Sequence, residues 1–136
     1  MSLNPGPATE TAFEIRSRQI LPMRYVVSVT GEVDAWSSPA LADELESIVE
    51  AGAIDAVVDL TEVSFVDSSC LRVLLRTLDK FDERGGKLML VADDRRVLKT
   101  FEITGLNAKF VMHSQLAEAM VELASRGSGT DGDGKV

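Results

Sequence analysis

Near its start the chain alternates hydrophobic and polar residues in short runs, and this period of two predicts half-buried β-strands. Two such runs are FEIRSRQI and YVVSVTGEV, which begin at Phe13 and Tyr25. Pro22 lies between them and predicts a hairpin-like turn, because proline has no N–H to donate to a strand ladder. Three later runs are more continuously apolar, as buried parallel strands are: DAVVDL at 55–60, KLMLVA at 87–92 and KFVM at 109–112.

Apolar residues recur at helical spacing in four segments, one before each of these later strands and one after the last of them. The first segment begins with Ser38 as the predicted N-cap and Pro39 at the first helical position. The four apolar stripes lie within 41–49, 71–81, 97–103 and 116–123. The order β-β-α-β-α-β-α-β-α predicts a single α/β domain whose mixed, mostly parallel sheet of about five strands is covered by helices.

The two ends of the chain have little to bury. Residues 1–10 contain two prolines and a glycine, and we predict that they are disordered. Residues 126–136 are rich in glycine and predict a flexible tail. One domain, residues 11–125, remains between them, as a length of 136 residues allows.

Charge restricts the kind of partner that the chain can bind. Aspartate and glutamate outnumber lysine and arginine by 22 to 14, which gives a formal net charge of −8. Because nucleic acids and anionic membranes require clustered bases, we expect neither partner, and a basic protein fits better.

No apolar run reaches the roughly 18 residues of a membrane span, and the single cysteine permits no internal disulfide. We therefore predict a cytoplasmic chain without membrane insertion.

Residue types that catalysis or metal binding requires are scarce. His113 is the sole histidine, and no nucleophile–base pair or hydrolase-like motif accompanies it, so we interpret it as a loop residue. Asp93-Asp94 lacks further oxygen ligands at matching spacing and is better explained as the turn before a helix. We expect no enzyme activity, no metal and no cofactor.

Several single residues leave two interpretations open. Trp36 either packs against the sheet edge, which we favour, or is an exposed anchor for a partner. Cys70 is either a reactive thiol at a helix N-terminus or, as we favour, a small buried side chain. The stripe formed by Arg72, Arg76 and Lys80 is either a solvated helix face, which we favour, or a docking strip.

The triplet Asp67-Ser68-Ser69, between a buried run and a helix, also has two explanations. In the structural one, Asp67 or Ser68 caps the helix by accepting hydrogen bonds from its free amides, which contributes about 1 kcal/mol. In the functional one, a hydroxyl in the first turn faces solvent and accepts a phosphoryl group, which adds about −1.5 to −2 charges. Capping by one residue does not account for two serines, so the functional explanation is retained.

Three blocks of the sequence, taken together, resemble one family. VVDLTEVSFVDSSCLRVLLRTLDKF looks like the central signature of STAS domains, and specifically of bacterial anti-sigma factor antagonists. GEVDAWSSPALADEL at 31–45 and FEITGLNAKFVMHSQLAEAM at 101–120 resemble two further blocks of that family. The likeness extends over about residues 12–125 and implies the same fold that the hydrophobic pattern predicts.

The resemblance implies a function that depends on a partner. Antagonists of this family bind an anti-sigma factor, usually a serine protein kinase, and thereby release a sigma factor. The kinase phosphorylates a serine of the Asp-Ser-Ser motif, the complex dissociates, and a phosphatase restores binding. The kinase supplies ATP and Mg²⁺, so the resemblance implies that this chain is a substrate and not an enzyme. We expect it to be a monomer or a weak dimer.

The family motifs can be carried over to this chain residue by residue. Ser69 matches the phosphorylated serine, with Ser68 as the fallback, and Asp67 would orient the loop. Asp34 matches an acid that helps to bind the kinase. The implied partner-binding residues are Asp34, Asp67, Ser68, Ser69, Cys70 and Arg72. Cys70 departs from the family, which usually has glycine there, and its side chain adds bulk beside the acceptor.

Two other functions compete with this one. The first is a constitutive STAS scaffold or accessory module of a stress-signalling assembly or a transporter, in which the serines only cap the helix. The second is a small-molecule binder or enzyme, for which the sequence supplies no catalytic pair and no set of metal ligands.

Overall fold

The structure, a computed structural model of the chain, describes residues 12–128. Within these residues, a five-stranded sheet and four α-helices follow each other in the order that the hydrophobic pattern predicts. The strands are β1 Glu14–Leu21, β2 Arg24–Val33, β3 Asp55–Val66, β4 Lys87–Val91 and β5 Val111–His113. The helices are α1 Ser38–Glu50, α2 Ser68–Glu83, α3 Arg95–Thr104 and α4 Leu116–Ser128. Residues 1–10 and most of the predicted tail lie outside the described residues, whereas α4 includes 126–128.

The strands lie in the sheet in their order along the chain, β1-β2-β3-β4-β5. β1 pairs with β2 antiparallel across the turn at Pro22, and the other three pairings are parallel. Each parallel step needs a crossover helix, and successive right-handed crossovers in one direction place α1, α2 and α3 on the same face. The helix after the last strand, α4, packs on the opposite face. The predicted mixed, mostly parallel α/β fold is confirmed.

Alternate side chains of the central strands belong to two hydrophobic cores. In β3, Val58 and Leu60 face α1, α2 and α3, whereas Val57 faces α4. The larger core contains the fully buried rings of Phe81 and Phe101. The smaller core consists of Val26, Val57, Met89, Val91, Ala119 and Leu123. Burial on both faces explains why the central strands are almost continuously apolar.

Two strand boundaries differ from the predicted ones by more than one residue. β3 continues to Val66 and not only to residue 60, because its second half pairs with the end of β2 after two register shifts. β5 begins at Val111, since Leu106–Ala108 forms a 3₁₀ turn and the amide of Lys109 still donates to the Leu106 carbonyl at 2.9 Å. The longer β3 matters for function, because it determines where Asp67 lies.

A fully buried carboxylate attaches α4 to the sheet. Asp55, the first residue of β3, is 0% exposed and lies 3.0 Å from the Arg24 guanidinium and 2.9 Å from that of Arg126 in α4. Its other hydrogen-bond donor is the backbone amide of Lys87, at 2.9 Å. These contacts are at the amino-terminal edge of the parallel strands, which leaves the carboxyl-terminal edge for the candidate site.

His113 is not the loop residue that the sequence predicts. It is the last residue of β5, and its Nε2 lies 2.9 Å from a carboxylate oxygen of Glu122 in α4. Lys87 Nζ donates to the other oxygen of Glu122 at 3.1 Å. Burial alone would raise the pKa of Glu122, but the hydrogen bonds from His113 and Lys87 outweigh it and lower that pKa. The sole histidine therefore helps to hold α4 on the sheet.

Candidate functional site

The carboxyl-terminal ends of β2 and β3 bring the predicted site residues together. Val33 and Val66 are partners in the parallel register, so the residues that follow them, Asp34 and Asp67, emerge at the same edge of the sheet. The amide of Asp67 donates to the Val33 carbonyl at 3.2 Å. This edge, beyond the strand ends of an open parallel sheet, is where such folds usually bind their ligands.

Asp67 is the N-cap of α2. Its backbone is extended, with φ −122° and ψ −172°, and its Oδ1 accepts hydrogen bonds from the amides of Ser69 and Cys70 at 2.9 and 3.4 Å. The sequence left capping open between Asp67 and Ser68, and the structure assigns it to Asp67. Both serines therefore lie in the first turn of the helix.

The hydroxyl of Ser69 is held by the same carboxylate. Ser69 Oγ donates to Asp67 Oδ1 at 2.5 Å, so its proton points toward the cap and its lone pairs point away from it. The side chain is half-buried and lines an open groove between α1 and α2, and its neighbour Ser68 is exposed. A nucleophilic oxygen in this position is oriented and reachable from solvent.

The loop that carries Asp34 has a fixed geometry. Asp34 Oδ1 accepts hydrogen bonds from the amides of Trp36 and Ser37 at 2.9 and 3.1 Å, and Ser37 Oγ donates to the Glu32 carbonyl at 2.7 Å. The hydrogen bond from the Ser37 amide is the largest cause of a lowered pKa for Asp34. Asp34 is therefore ionised at neutral pH and organises the turn. The N-cap of α1 is Ser37 and not the predicted Ser38, which is the first helical residue.

Trp36 does not pack against the sheet, so the favoured interpretation of this residue is wrong. Its side chain is 92% exposed, although its backbone amide is bonded to Asp34. Asp34 and Ser37 hold the backbone of this tight turn through their hydrogen bonds, and the indole of Trp36 projects into solvent. A large apolar side chain on an ordered loop beside Asp34 is the kind of anchor that protein interfaces use. The sequence is compatible with an exposed anchor at Trp36, but no pattern in it distinguishes this interpretation from packing against the sheet.

Cys70 lies in the core beneath the first turn of α2. It is 0% exposed, and burial, together with the nearby charge of Asp67, raises the pKa of its thiol to about 12. The favoured buried interpretation is confirmed. A residue in this position does not contact a partner, so Cys70 is removed from the predicted partner-binding set. Its sulfur also does not crowd the acceptor, because it points inward while Ser69 lines the groove.

The remaining predicted contact, Arg72, is exposed on the same groove as Ser69. The groove is lined by Pro39, Ala42 and Asp43 from α1 and by Ser69, Arg72 and Arg76 from α2. The site thus joins Asp34, Asp67, Ser68, Ser69 and Arg72 at one edge of the sheet, with Trp36 as an addition.

The described part of the chain has neither a metal-binding cluster nor a membrane-spanning helix. Residues 12–128 contain no group of three or more His, Cys, Asp or Glu side chains arranged to hold a metal ion. None of the helices formed by these residues is long and apolar enough to cross a membrane.

Comparison with known proteins identifies the family to which this α/β domain belongs. A family model described as the STAS domain matches residues 14–119, so the chain belongs to the STAS domain family. The anti-sigma-B factor antagonist of Bacillus subtilis (strain 168) is 38% identical over 80 residues, which is 59% of this chain and 72% of that protein.

Solved structures share the architecture. An anti-sigma factor antagonist from Mycobacterium paratuberculosis superposes with a TM-score of 0.75 at 26% identity, over 83% of this chain and 95% of the other. The anti-sigma factor antagonist SpoIIAA in its unphosphorylated form has a TM-score of 0.65 at 19% identity, over 86% of this chain and 100% of SpoIIAA. At that identity the second likeness establishes the fold.

Proposed function

We propose that this chain is an anti-sigma factor antagonist, which binds an anti-sigma factor that is a serine kinase and thereby releases a sigma factor. Phosphorylation of Ser69, with Ser68 as the fallback acceptor, ends that binding, and a phosphatase restores it. The observation that carries the proposal is the oriented hydroxyl of Ser69 at the wall of an open groove. The names of the relatives described above support the same function.

The switch works through charge and not through refolding. A phosphoryl group adds about −1.5 to −2 charges where the partner docks, and the partner must then desolvate them. An unfavourable change of about 2.7 kcal/mol weakens binding a hundredfold. Because Ser69 lies at the surface of the first turn, the new group has room outside the domain and the cores stay intact.

The partner surface combines charge with one apolar anchor. Asp34, Asp67 and Arg72 supply polar contacts around the acceptor, and Trp36 supplies a large area that is not covered within the domain. The net charge of −8 favours a partner with a basic docking face. The kinase contributes ATP, Mg²⁺ and the general base, so this chain acts as a substrate. We further propose that it works in the cytoplasm as a monomer or weak dimer.

The test uses an affinity-tagged chain expressed in the native cell. Ser69→Ala should retain the anti-sigma kinase after addition of Mg-ATP, whereas the wild-type chain should gain the mass of one phosphoryl group and release it. Ser69→Glu should bind about a hundredfold more weakly. If Ser69 is the acceptor, Ser68→Ala should still gain the phosphoryl group and release the kinase, whereas loss of the added mass in Ser68→Ala would move the acceptor to Ser68. If the recovered kinase adds no mass at Ser69 or Ser68, the serines serve only as part of the helix start and the scaffold alternative replaces this proposal.

A further inference from the structure

Two exposed arginines of α2 line the groove that contains the acceptor. Arg72 and Arg76 follow Ser69 by three and seven residues, and all three line the same groove. Side chains three or four apart on a helix are neighbours, and they lean toward the helix N-terminus, which places Arg72 next to Ser69 and Arg76 one turn further along the groove. Neither forms a salt bridge or a hydrogen bond with any other residue of the described part of the chain.

Four other arginines of the same domain are used for structure. Arg24 and Arg126 bind the buried Asp55, Arg84 donates to the carbonyls of Val49 and Ala53, and Arg96 pairs with Asp94. The groove, in contrast, holds two cations against a single acid on its lining, Asp43 of α1. It is therefore a local positive site in a chain whose net charge is −8.

The start of α2 cannot receive a phosphoryl group on Ser69 in the usual way. The amides of Ser69 and Cys70, which an anion at a helix N-terminus would use, already donate to Asp67 Oδ1. The Asp67 carboxylate would also repel a phosphate dianion next to it. The modified side chain must therefore turn away from Asp67, and the groove is the adjacent space that carries positive charge.

We propose that Arg72, with Arg76 one turn behind it, forms a cradle in the α1–α2 groove that binds the phosphoryl group of phosphorylated Ser69 within the same chain. The proposal depends on the phosphorylation proposed above. In that step the Ser69 oxygen forms a bond to the γ-phosphorus of ATP, the bond to the ADP oxygen breaks, and the hydroxyl proton leaves to the kinase's base. The hydrogen bond to Asp67 is lost with the proton, and a charge-assisted contact to Arg72 replaces it.

The cradle gives phosphorylation a second effect on the partner. In the unmodified chain the guanidinium of Arg72 is free to bind a carboxylate of the docked protein. In the phosphorylated chain it is paired with the neighbouring phosphate, so it is no longer free to bind that carboxylate. One modification thus changes two adjacent contacts without moving the backbone.

The test installs phosphoserine at position 69 during translation with an expanded genetic code, so that no kinase is needed. The second pKa of the phosphate is then measured by ³¹P NMR in the wild-type chain, Arg72→Gln, Arg76→Gln and the control Arg18→Gln. Arg18 is exposed on β1, and its neighbour Ser17 donates to Glu44 of α1, so Arg18 faces away from the groove. Free phosphoserine has a second pKa near 6, and we expect the wild-type value to be lower.

Arg72→Gln should raise that pKa by about 0.2 to 0.7 of a unit, Arg76→Gln should raise it less, and Arg18→Gln should leave it unchanged. Asp67 from the β3–α2 junction and Asp43 from α1 act in the opposite direction and are present in every variant. Equal values in the wild-type chain, Arg72→Gln and Arg18→Gln would overturn the cradle. The phosphorylated wild-type chain is also tested for binding to the anti-sigma kinase, which separates the two proposals, because the switch can stand when the cradle fails.

Discussion

The carboxylate of Asp67 accepts hydrogen bonds from both the amide and the hydroxyl of Ser69, at 2.9 and 2.5 Å. One acid therefore begins α2 and also orients the proposed phosphoryl acceptor. The structural and the functional explanations of the Asp-Ser-Ser triplet are thus not alternatives. A change at Asp67 should disturb both stability and phosphorylation, whereas a change at Ser69 should affect mainly phosphorylation.

Removal of the cap measures how much it contributes to stability. Asp67→Ala leaves the amides of Ser69 and Cys70 without an acceptor, and we expect the free energy of unfolding to fall by about 1 kcal/mol, within a range of about 0.5–2. Asp67→Asn keeps an acceptor oxygen and should lose less. Urea denaturation followed by circular dichroism measures both, with Ser69→Ala as the control that keeps the cap. An Asp67→Ala variant as stable as the wild-type chain would show that the cap contributes nothing.

Trp36 should matter for binding and not for folding. Because its side chain is 92% exposed, Trp36→Ala should change the free energy of unfolding by less than about 0.5 kcal/mol. If the indole anchors the partner, the same variant should weaken binding to the anti-sigma kinase about 30-fold, or about 2 kcal/mol.

The matched control for Trp36 is another exposed apolar residue on the opposite face of the domain. Val121 in α4 is 71% exposed, and Val121→Ala should leave binding unchanged when it is measured by calorimetry under the same conditions. Equal affinities for Trp36→Ala and Val121→Ala would remove Trp36 from the interface.

Much of this fold could be predicted from the sequence because burial leaves a direct pattern. Continuous apolar runs gave the parallel strands, and the spacing of apolar residues gave all four helices. The predictions were wrong where they required the burial or exposure of a single side chain. Ile103 belongs to the predicted stripe of α3 but is 74% exposed, since Val97 and Phe101 already fill the contact with the sheet.

The candidate site was predictable in part for a related reason. Asp67 and Ser69 are adjacent in sequence, so the cap and the acceptor follow from local helix rules. The approach of Asp34 to Asp67 depends on the register of β2 against β3, which shifts twice before Val33 meets Val66. The exposure of Trp36 depends on hydrogen bonds within its own turn, and these cannot be predicted from the pattern of hydrophobic residues.

The buried thiol of Cys70 makes a sharp test of the first turn of α2. Because the pKa of Cys70 is raised to about 12 and its side chain is 0% exposed, the folded chain should not react with a thiol reagent at pH 8. In concentrated urea one thiol per chain should react at once. Cys70→Ser should lower the free energy of unfolding by about 1–3 kcal/mol, since it buries a hydroxyl in an apolar site. Complete labelling of the folded chain within minutes would contradict the inward position of the sulfur.

Asp94 should give the stability of the domain a specific dependence on acid. It caps α3 by accepting from the amides of Arg96 and Val97 at 2.8 and 3.4 Å, and its other oxygen lies 2.9 Å from the Arg96 guanidinium. The hydrogen bond from the Arg96 side chain is the largest cause that lowers the pKa of Asp94 from 3.8 to about 2. A carboxyl whose pKa is lower in the folded state stabilises the fold above its unfolded pKa, and that stabilisation is lost as the pH falls through the folded pKa.

We therefore expect the stability advantage of the wild-type chain over Asp94→Asn to be constant above about pH 5 and to shrink as the pH falls from about 4 toward 2. Asparagine keeps a capping oxygen but does not titrate, so it isolates the effect of the charge. Arg96→Gln should raise the folded-state pKa of Asp94, so the stabilisation that the charge contributes should be smaller and its loss should be complete at a higher pH. The carboxyl ¹³C shift of Asp94, followed by NMR while the chain stays folded, measures this pKa directly. Because the Arg96 side chain is 72% exposed, 1 M NaCl should reduce the difference in the Asp94 pKa between the wild-type chain and Arg96→Gln. An Asp94 that titrates at its ordinary pKa in the wild-type chain would refute the pairing with Arg96.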